Sequence, residues 1–326
     1  MAVTSVPASL VKKLWAKDLW AAAQEEIFFK RFIGESEDAI IQKKSDLKKD
    51  KGDTITIPLM MKLSGAGVDG DATLEGYEEA MTFYDMAVAV DQKRNAVRLK
   101  GKMEEQKAAF DLRSSAKKAL KTWMIEYVEK LFFTTLGTSP TSARVLYGGD
   151  ATTVGEIVDA DKLSTTLIST AKRKAELASP KIRPVRVDGK EYFVLLVHPY
   201  AARDLKTDSA WLAAQQYANV RGDLNPIFSG SLGIWDGVAI WEHPWVRLTT
   251  EGASGANAAY NMLLGAQAGA WAVAKEPFWE EDTFDYNNQV GFATGLIHGV
   301  KKSAFGASGS EQDFGMITII TGAKAD

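Results

Sequence analysis

Residues 51–85 read KGDTITIPLMMKLSGAGVDGDATLEGYEEAMTFYD, and their opening decides how the rest of the chain is read. Apolar and polar residues alternate, so Ile55, Ile57 and Leu59 share one face of a strand while Thr54 and Thr56 share the other. Pro58 has no amide proton to give to a ladder, which marks an edge strand. The return leg, TFYDMAVAVDQ at 82–92, alternates in the same way, with Tyr84, Met86, Val88 and Val90 on one side. Between the legs lies a long Gly-rich tip, SGAGVDGDATLEGYEEA at 64–80. A two-stranded hairpin is marginal in water because its apolar face lacks a second layer. The hairpin is therefore predicted to pack on something beyond itself, with a neighbouring subunit as the natural surface.

Downstream, the period changes from two to 3.6. Residues 103–136 predict one long helix, with Ala116, Leu120, Trp123 or Met124, Tyr127 and Leu131 as its buried stripe and Gly137 as its stop. Unbroken, it would be about 50 Å long, a spine more than an ordinary domain helix. Upstream, Leu10, Leu14, Trp15, Leu19, Trp20, Ile27, Phe28 and Phe32 fall at helical intervals over 8–33 and predict an amphipathic arm that needs a surface to lie on.

Past a connector at 138–156 the pattern becomes α/β. A helix is expected near 160–177, then an Asp188-Gly189 turn into YFVLLV, whose unbroken apolar run predicts a central strand covered on both faces. HPYAARDLKTDSAWLAAQQYAN at 198–219 reads as helix, and LGIWDGVAIW as a hairpin turning at Asp236-Gly237. YNMLLGAQAGAWAVA reads as a strand and a short helix, surface loops near 252 and 306 flank the last elements, and MITIIT closes the chain as a strand.

Composition bounds the function. The chain has 326 residues, 46% hydrophobic and 25% charged, the balance of a folded soluble protein of about two domains. Cysteine is absent, which removes disulfides, thiolate metal sites and thiol nucleophiles. No apolar stretch approaches membrane-spanning length and the N-terminus lacks signal-peptide order, so synthesis in the cytoplasm is expected. A net charge of −3 argues against a dedicated nucleic-acid binder. The one basic cluster, QKKSDLKKDK at 42–51, is diluted by two Asp and reads as a solvated linker.

Residues 65–70, GAGVDG, match the dinucleotide-binding pattern literally, and Asp91 stands about where a ribose-binding acid would. The context fails, because the pattern needs a helix directly after the glycines and this chain enters another period-two strand. Of the three histidines, His198 and His243 precede proline, and none, His298 included, has metal-ligand spacing to another. The acidic run Trp279-Glu280-Glu281-Asp282 with Asp285 lacks the spacing of a calcium loop and reads as a solvated loop. No catalytic residue, metal ligand or cofactor is predicted.

The block at 51–85, followed by VRLKGKMEEQKAAFDLRSSAKKAL at 97–120, resembles the N-four-type family of tailed-phage major capsid proteins. The likeness continues through SLGIWDGVAIWEHPWV and GAQAGAWAVAK. It implies an α+β, HK-97-like capsid fold: an N-terminal arm at 1–51, an extended loop at 52–101, a peripheral domain with its spine helix at 102–154, an axial domain at about 155–290, and a return to the peripheral sheet at 291–326. The loop tip, with Met60, Lys62, Gly65, Gly67, Val68, Gly70, Leu74 and Tyr77, would meet a neighbouring subunit. The implied partners are copies of the chain in hexamers and pentamers of an icosahedral shell, with portal and scaffolding or decoration proteins, and packaged double-stranded DNA in weak non-specific contact. No membrane partner is expected. Two readings stand beside this one: an encapsulin-like cargo compartment of the same fold and, more remotely, a nicotinamide-dependent oxidoreductase using the loop at 65–70.

Overall fold

A computed structural model of the chain describes residues 27–46, 52–60, 63, 65, 67–71, 73–108, 111–187, 189–216, 231–306 and 309–326. Two sheets share one long helix. A five-stranded sheet runs in the order Ile33–Gly34, Ile41–Lys44, Gly269–Phe284, Gln289–Lys302, Asp91–Arg98. An eight-stranded sheet carries the path Val145–Tyr147, Met316–Gly322, Ala258–Leu264, Lys190–Val197, Val238–Glu242, Gly233–Trp235, with two short strands off this path.

The apolar run YFVLLV is central in the second sheet, and its alternate residues explain why it has no polar face. Phe193, Leu195 and Val197 pack with Ile168, Ala171, Ala202 and Leu205 of the helices Thr165–Leu177 and Pro199–Lys206. Val194 and Leu196 point the other way, into a core with Met124, Phe132 and Phe133 of the long helix. Continuous apolarity is what burial on both faces requires. The hairpin at Asp236-Gly237 forms as read, with both turn residues at positive φ (48° and 76°).

The spine is shorter than predicted. Helix occupies Lys102–Lys107 and then Leu112–Gly137, 26 residues or about 39 Å. The break has a local cause: Asp111 is extended and its carboxylate accepts the amide of Arg113 at 3.0 Å, an N-cap that starts a new helix. The buried stripe runs through Ala116, Leu120, Met124, Val128, Phe132 and Leu136, whereas Trp123, Tyr127 and Leu131 are only half-buried.

The hairpin forms in the predicted register, Ile55 opposite Val88 and Ile57 opposite Met86, but its base is not bare. Those four side chains close over Ala270 and Ala272 of the same chain. Gly299 permits the approach, since a Cβ there would lie 1.9 Å from the Ala89 carbonyl oxygen, and Lys301 donates to the Ala87 carbonyl at 2.9 Å. The surface beyond itself on which the hairpin base packs thus belongs to its own chain, where a neighbouring subunit was expected. After Val90 the chain leaves the hairpin and joins the five-stranded sheet as an edge strand.

Three further expectations are corrected. GAWAVA is strand, because its period is two: Trp271 and Val273 face the spine while Ala270 and Ala272 face the hairpin. The acidic run 280–282 lies in the same strand, anchored by buried Trp279. MITIIT sits in the eight-stranded sheet between Val145–Tyr147 and Ala258–Leu264, where both of its faces are apolar and buried. Finally, residues 42–44 of the basic cluster belong to a strand with Gln42 buried, while 47–51 lie outside the described residues. The arm at 1–26 also lies outside them, and its continuation at Phe28–Phe32 is a 3₁₀ turn.

Candidate assembly surfaces

Beyond its covered base the hairpin carries a row of large apolar side chains in solvent. Met60 and Phe83 face each other across the open end of the ladder, 63% and 59% exposed, and Leu63, Leu74, Tyr77 and Met81 follow. Surface apolar residues are ordinary when scattered, but six within 24 residues make a patch that calls for a partner. The tip is shaped from within. Gly65 donates its amide to Glu79 at 2.5 Å, Gly76 donates to Glu78 at 2.7 Å, and Tyr77 donates to the Leu74 carbonyl at 3.0 Å. Gly67 and Gly70 hold positive φ of 73° and 59°, which glycine adopts without strain. Of the predicted tip residues, Met60, Leu74 and Tyr77 are exposed, Val68 is half-buried, and Lys62 lies outside the described residues. Leu63, Met81 and Phe83 were missed, because period-two reading assigns such residues to a solvent face and gives them no further meaning.

The glycines do not lead into a helix. Described residues 73–82 are irregular and the next element is the strand Phe83–Ala89, so a helix N-terminus is missing where a pyrophosphate would need one. Among the described residues, no cluster of three or more His, Asp or Glu could hold a metal ion. No helix there is long and apolar enough to cross a membrane.

A second protruding end closes the strands Gly269–Phe284 and Gln289–Lys302. Its turn residues Asp285, Tyr286 and Asn287 all have positive φ, Tyr286 is fully exposed, and the Arg98 guanidinium lies 4.2 Å from the centroid of the exposed Phe284 ring. The hairpin stem is tied to the spine by Arg113, which donates to both carboxylate oxygens of Glu281 at 2.8 and 2.9 Å, while the Trp279 indole donates to the same carboxylate at 2.7 Å.

The first described residues of the chain are built into the core. Phe28, Phe29 and Phe32 pack against Phe132, Phe133 and Trp241, and the Phe28 amide donates to Glu129 at 2.6 Å. Burial raises the Glu129 pKa against that hydrogen bond. His243 stacks on Phe133 with centroids 4.4 Å apart, and burial pulls it down to about 4. His198 caps the helix Pro199–Lys206 by accepting the Tyr200 amide, and His298 accepts the Trp271 indole N–H at 3.0 Å. Each histidine ring therefore has a packing or hydrogen-bonding part in the structure.

Comparison with known proteins follows this geometry. The profile of a family described as phage capsid protein matches residues 3–325. The major capsid protein of Pseudomonas phage KPP25 is 29% identical, over 96% of this chain and 95% of that one. The capsid of Ralstonia phage GP4 superposes with a TM-score of 0.82 at 32% identity, over 92% of both chains. The capsid of cyanophage Pam1 does so with 0.80 at 28% identity, over 91% of this chain and 92% of its own.

Proposed function

The chain belongs to the phage capsid protein family, and from this premise we propose that its hairpin is the extended loop through which one shell subunit grips the next. The protein is a major capsid protein, a structural shell subunit with an HK97-like fold and not an enzyme, and it resides in the virion capsid. The relatives found are phage capsids and lend no support to a cargo compartment or a nicotinamide enzyme.

The observation that carries the proposal is the row of exposed apolar side chains Met60, Leu63, Leu74, Tyr77, Met81 and Phe83, uncovered among the described residues. At about 25 cal/mol per Å², laying such a row on a neighbour gives each contact a modest stabilisation, and a closed shell repeats it many times. The spine with the five-stranded sheet then forms the peripheral domain, and the eight-stranded sheet with its helices forms the axial domain, whose copies meet at the centres of pentamers and hexamers. Assembly takes place in the host cytoplasm, with portal and scaffolding or decoration proteins as further partners. The mildly acidic subunit holds double-stranded DNA weakly, which favours release.

Deleting residues 62–80 tests the loop assignment. The variant is expected to fold, with the circular dichroism and thermal midpoint of the unassembled wild-type subunit, and to form no shells by negative-stain microscopy. Normal shells from the deletion would remove the hairpin from assembly.

A further inference from the structure

The hairpin tip is charged as well as apolar. Residues 63–82 contain Asp69, Asp71, Glu75, Glu78 and Glu79 and no Lys or Arg. A matching opposite stretch lies on the same chain: residues 92–102 contain Lys93, Arg94, Arg98, Lys100 and Lys102 and no Asp or Glu. These five cations stand on, or directly after, the edge strand Asp91–Arg98, and all are exposed. Among the described residues none of them forms an ion pair; Lys93 lies over the Tyr127 ring and Arg98 over Phe284.

We propose that the acidic, apolar tip of one copy docks on the cationic edge of strand Asp91–Arg98 in a second copy, and that this charge match sets which neighbour the loop accepts. The proposal rests on the reading of the hairpin as the extended loop and adds its receiving surface. Two properties of the edge favour a second copy over other occupants. A row of Lys and Arg on an open sheet edge resists pairing with another neutral or basic edge, so the strand is protected against indiscriminate addition while open to an acidic partner. The apolar component is matched too, since exposed Met103 follows the last cation and Phe284 lies under Arg98, giving Leu74, Tyr77 and Met81 of the incoming tip a surface to cover. A nucleic-acid backbone would use the cations but leave those apolar groups without a counterpart.

The test is a charge exchange in the full-length protein. Asp69→Lys, Asp71→Lys and Glu75→Lys together place like charges opposite the edge, and Arg94→Glu, Lys100→Glu and Lys102→Glu together do the same from the other side. Each triple variant is expected to fold with the wild-type spectrum and to raise the concentration needed for shell formation about a hundredfold, since like-charge juxtaposition in an interface is strongly disfavoured. Combining both triples in one chain restores the opposition with its signs reversed and is expected to recover assembly. Wild-type assembly should also weaken at about 1 M salt, where screening acts within about 3 Å. If the sixfold variant assembles no better than either triple, the pairing is wrong. If the edge triple builds normal shells and only loses retained DNA, the cations face the genome and the proposal falls. Either result leaves the loop deletion above to judge the hairpin independently.

Discussion

Trp271 donates its indole proton to Nδ1 of His298, so the neutral ring carries its own proton on Nε2, which is buried without a hydrogen-bond partner among the described residues. A second proton would have to enter at the nitrogen already facing a donor, in a site 3% exposed, and burial holds the pKa at about 4 against an ordinary 6.5. Between about 6.5 and about 4 the unfolded chain binds a proton that the folded chain refuses, so the contribution is full above 6.5 and is lost as pH falls through that window. The loss reaches about 3 kcal/mol once pH is below both values. His243, depressed to about 4 by burial, acts in the same sense. Thermal melts of the unassembled subunit should therefore decline from pH 7 to pH 4. His298→Gln, which keeps an acceptor for Trp271 and does not titrate, should decline less. Parallel curves for the two proteins would show that His298 takes no part.

Among the elements, the spine helix shows what sequence patterning resolves and where it stops. Its existence, its end at Gly137 and the positions Ala116 and Leu120 follow from spacing alone. The choice between Trp123 and Met124 does not, because both fit a 3.6 period and only the packed partners separate them. Met124 is completely buried between the two sheets, while Trp123 lies half-buried and parallel to Tyr127 with centroids 5.7 Å apart. Met124→Asp is thus expected to abolish soluble folding, by placing an unpaired charge in the shared core. Trp123→Asp should fold with a lowered midpoint, a cost of roughly 1–3 kcal/mol. Soluble yield and thermal melts of the two variants check this, and a soluble Met124→Asp with an unchanged midpoint would mean the helix sits elsewhere. The same limit explains the other misreadings. GAWAVA is rich in helix-favouring alanine, and only the hairpin base resting on Ala270 and Ala272 reveals that small residues were needed on a strand. An apolar run such as MITIIT announces burial without naming the strands it will pair with. The hairpin tip was legible as a protruding surface, but its cationic counterpart was not, because lysines on a strand read first as a solvated face.

For the whole molecule, the division between internal cover and exposed patch separates folding from assembly. The two sheets, the spine and even the hairpin base complete their cores within one chain, so a subunit has no need of a neighbour to fold. Among the described residues, the exposed large apolar side chains gather mostly on the hairpin tip and at Phe284 and Tyr286, with Met103, Val158, Leu177, Leu212 and Trp245 exposed elsewhere. Association that binds only the folded subunit must then raise apparent stability by mass action. Scanning calorimetry of purified shells should show a transition well above that of the unassembled subunit, moving with protein concentration where dissociation is reversible. The variant lacking residues 62–80 should melt with the unassembled subunit at every concentration. Shells and free subunits melting together would mean that contacts between copies add nothing to the folded state. The shell would then be a kinetic trap, with its strength lying in slow dissociation, and the exposed apolar row would need a different partner.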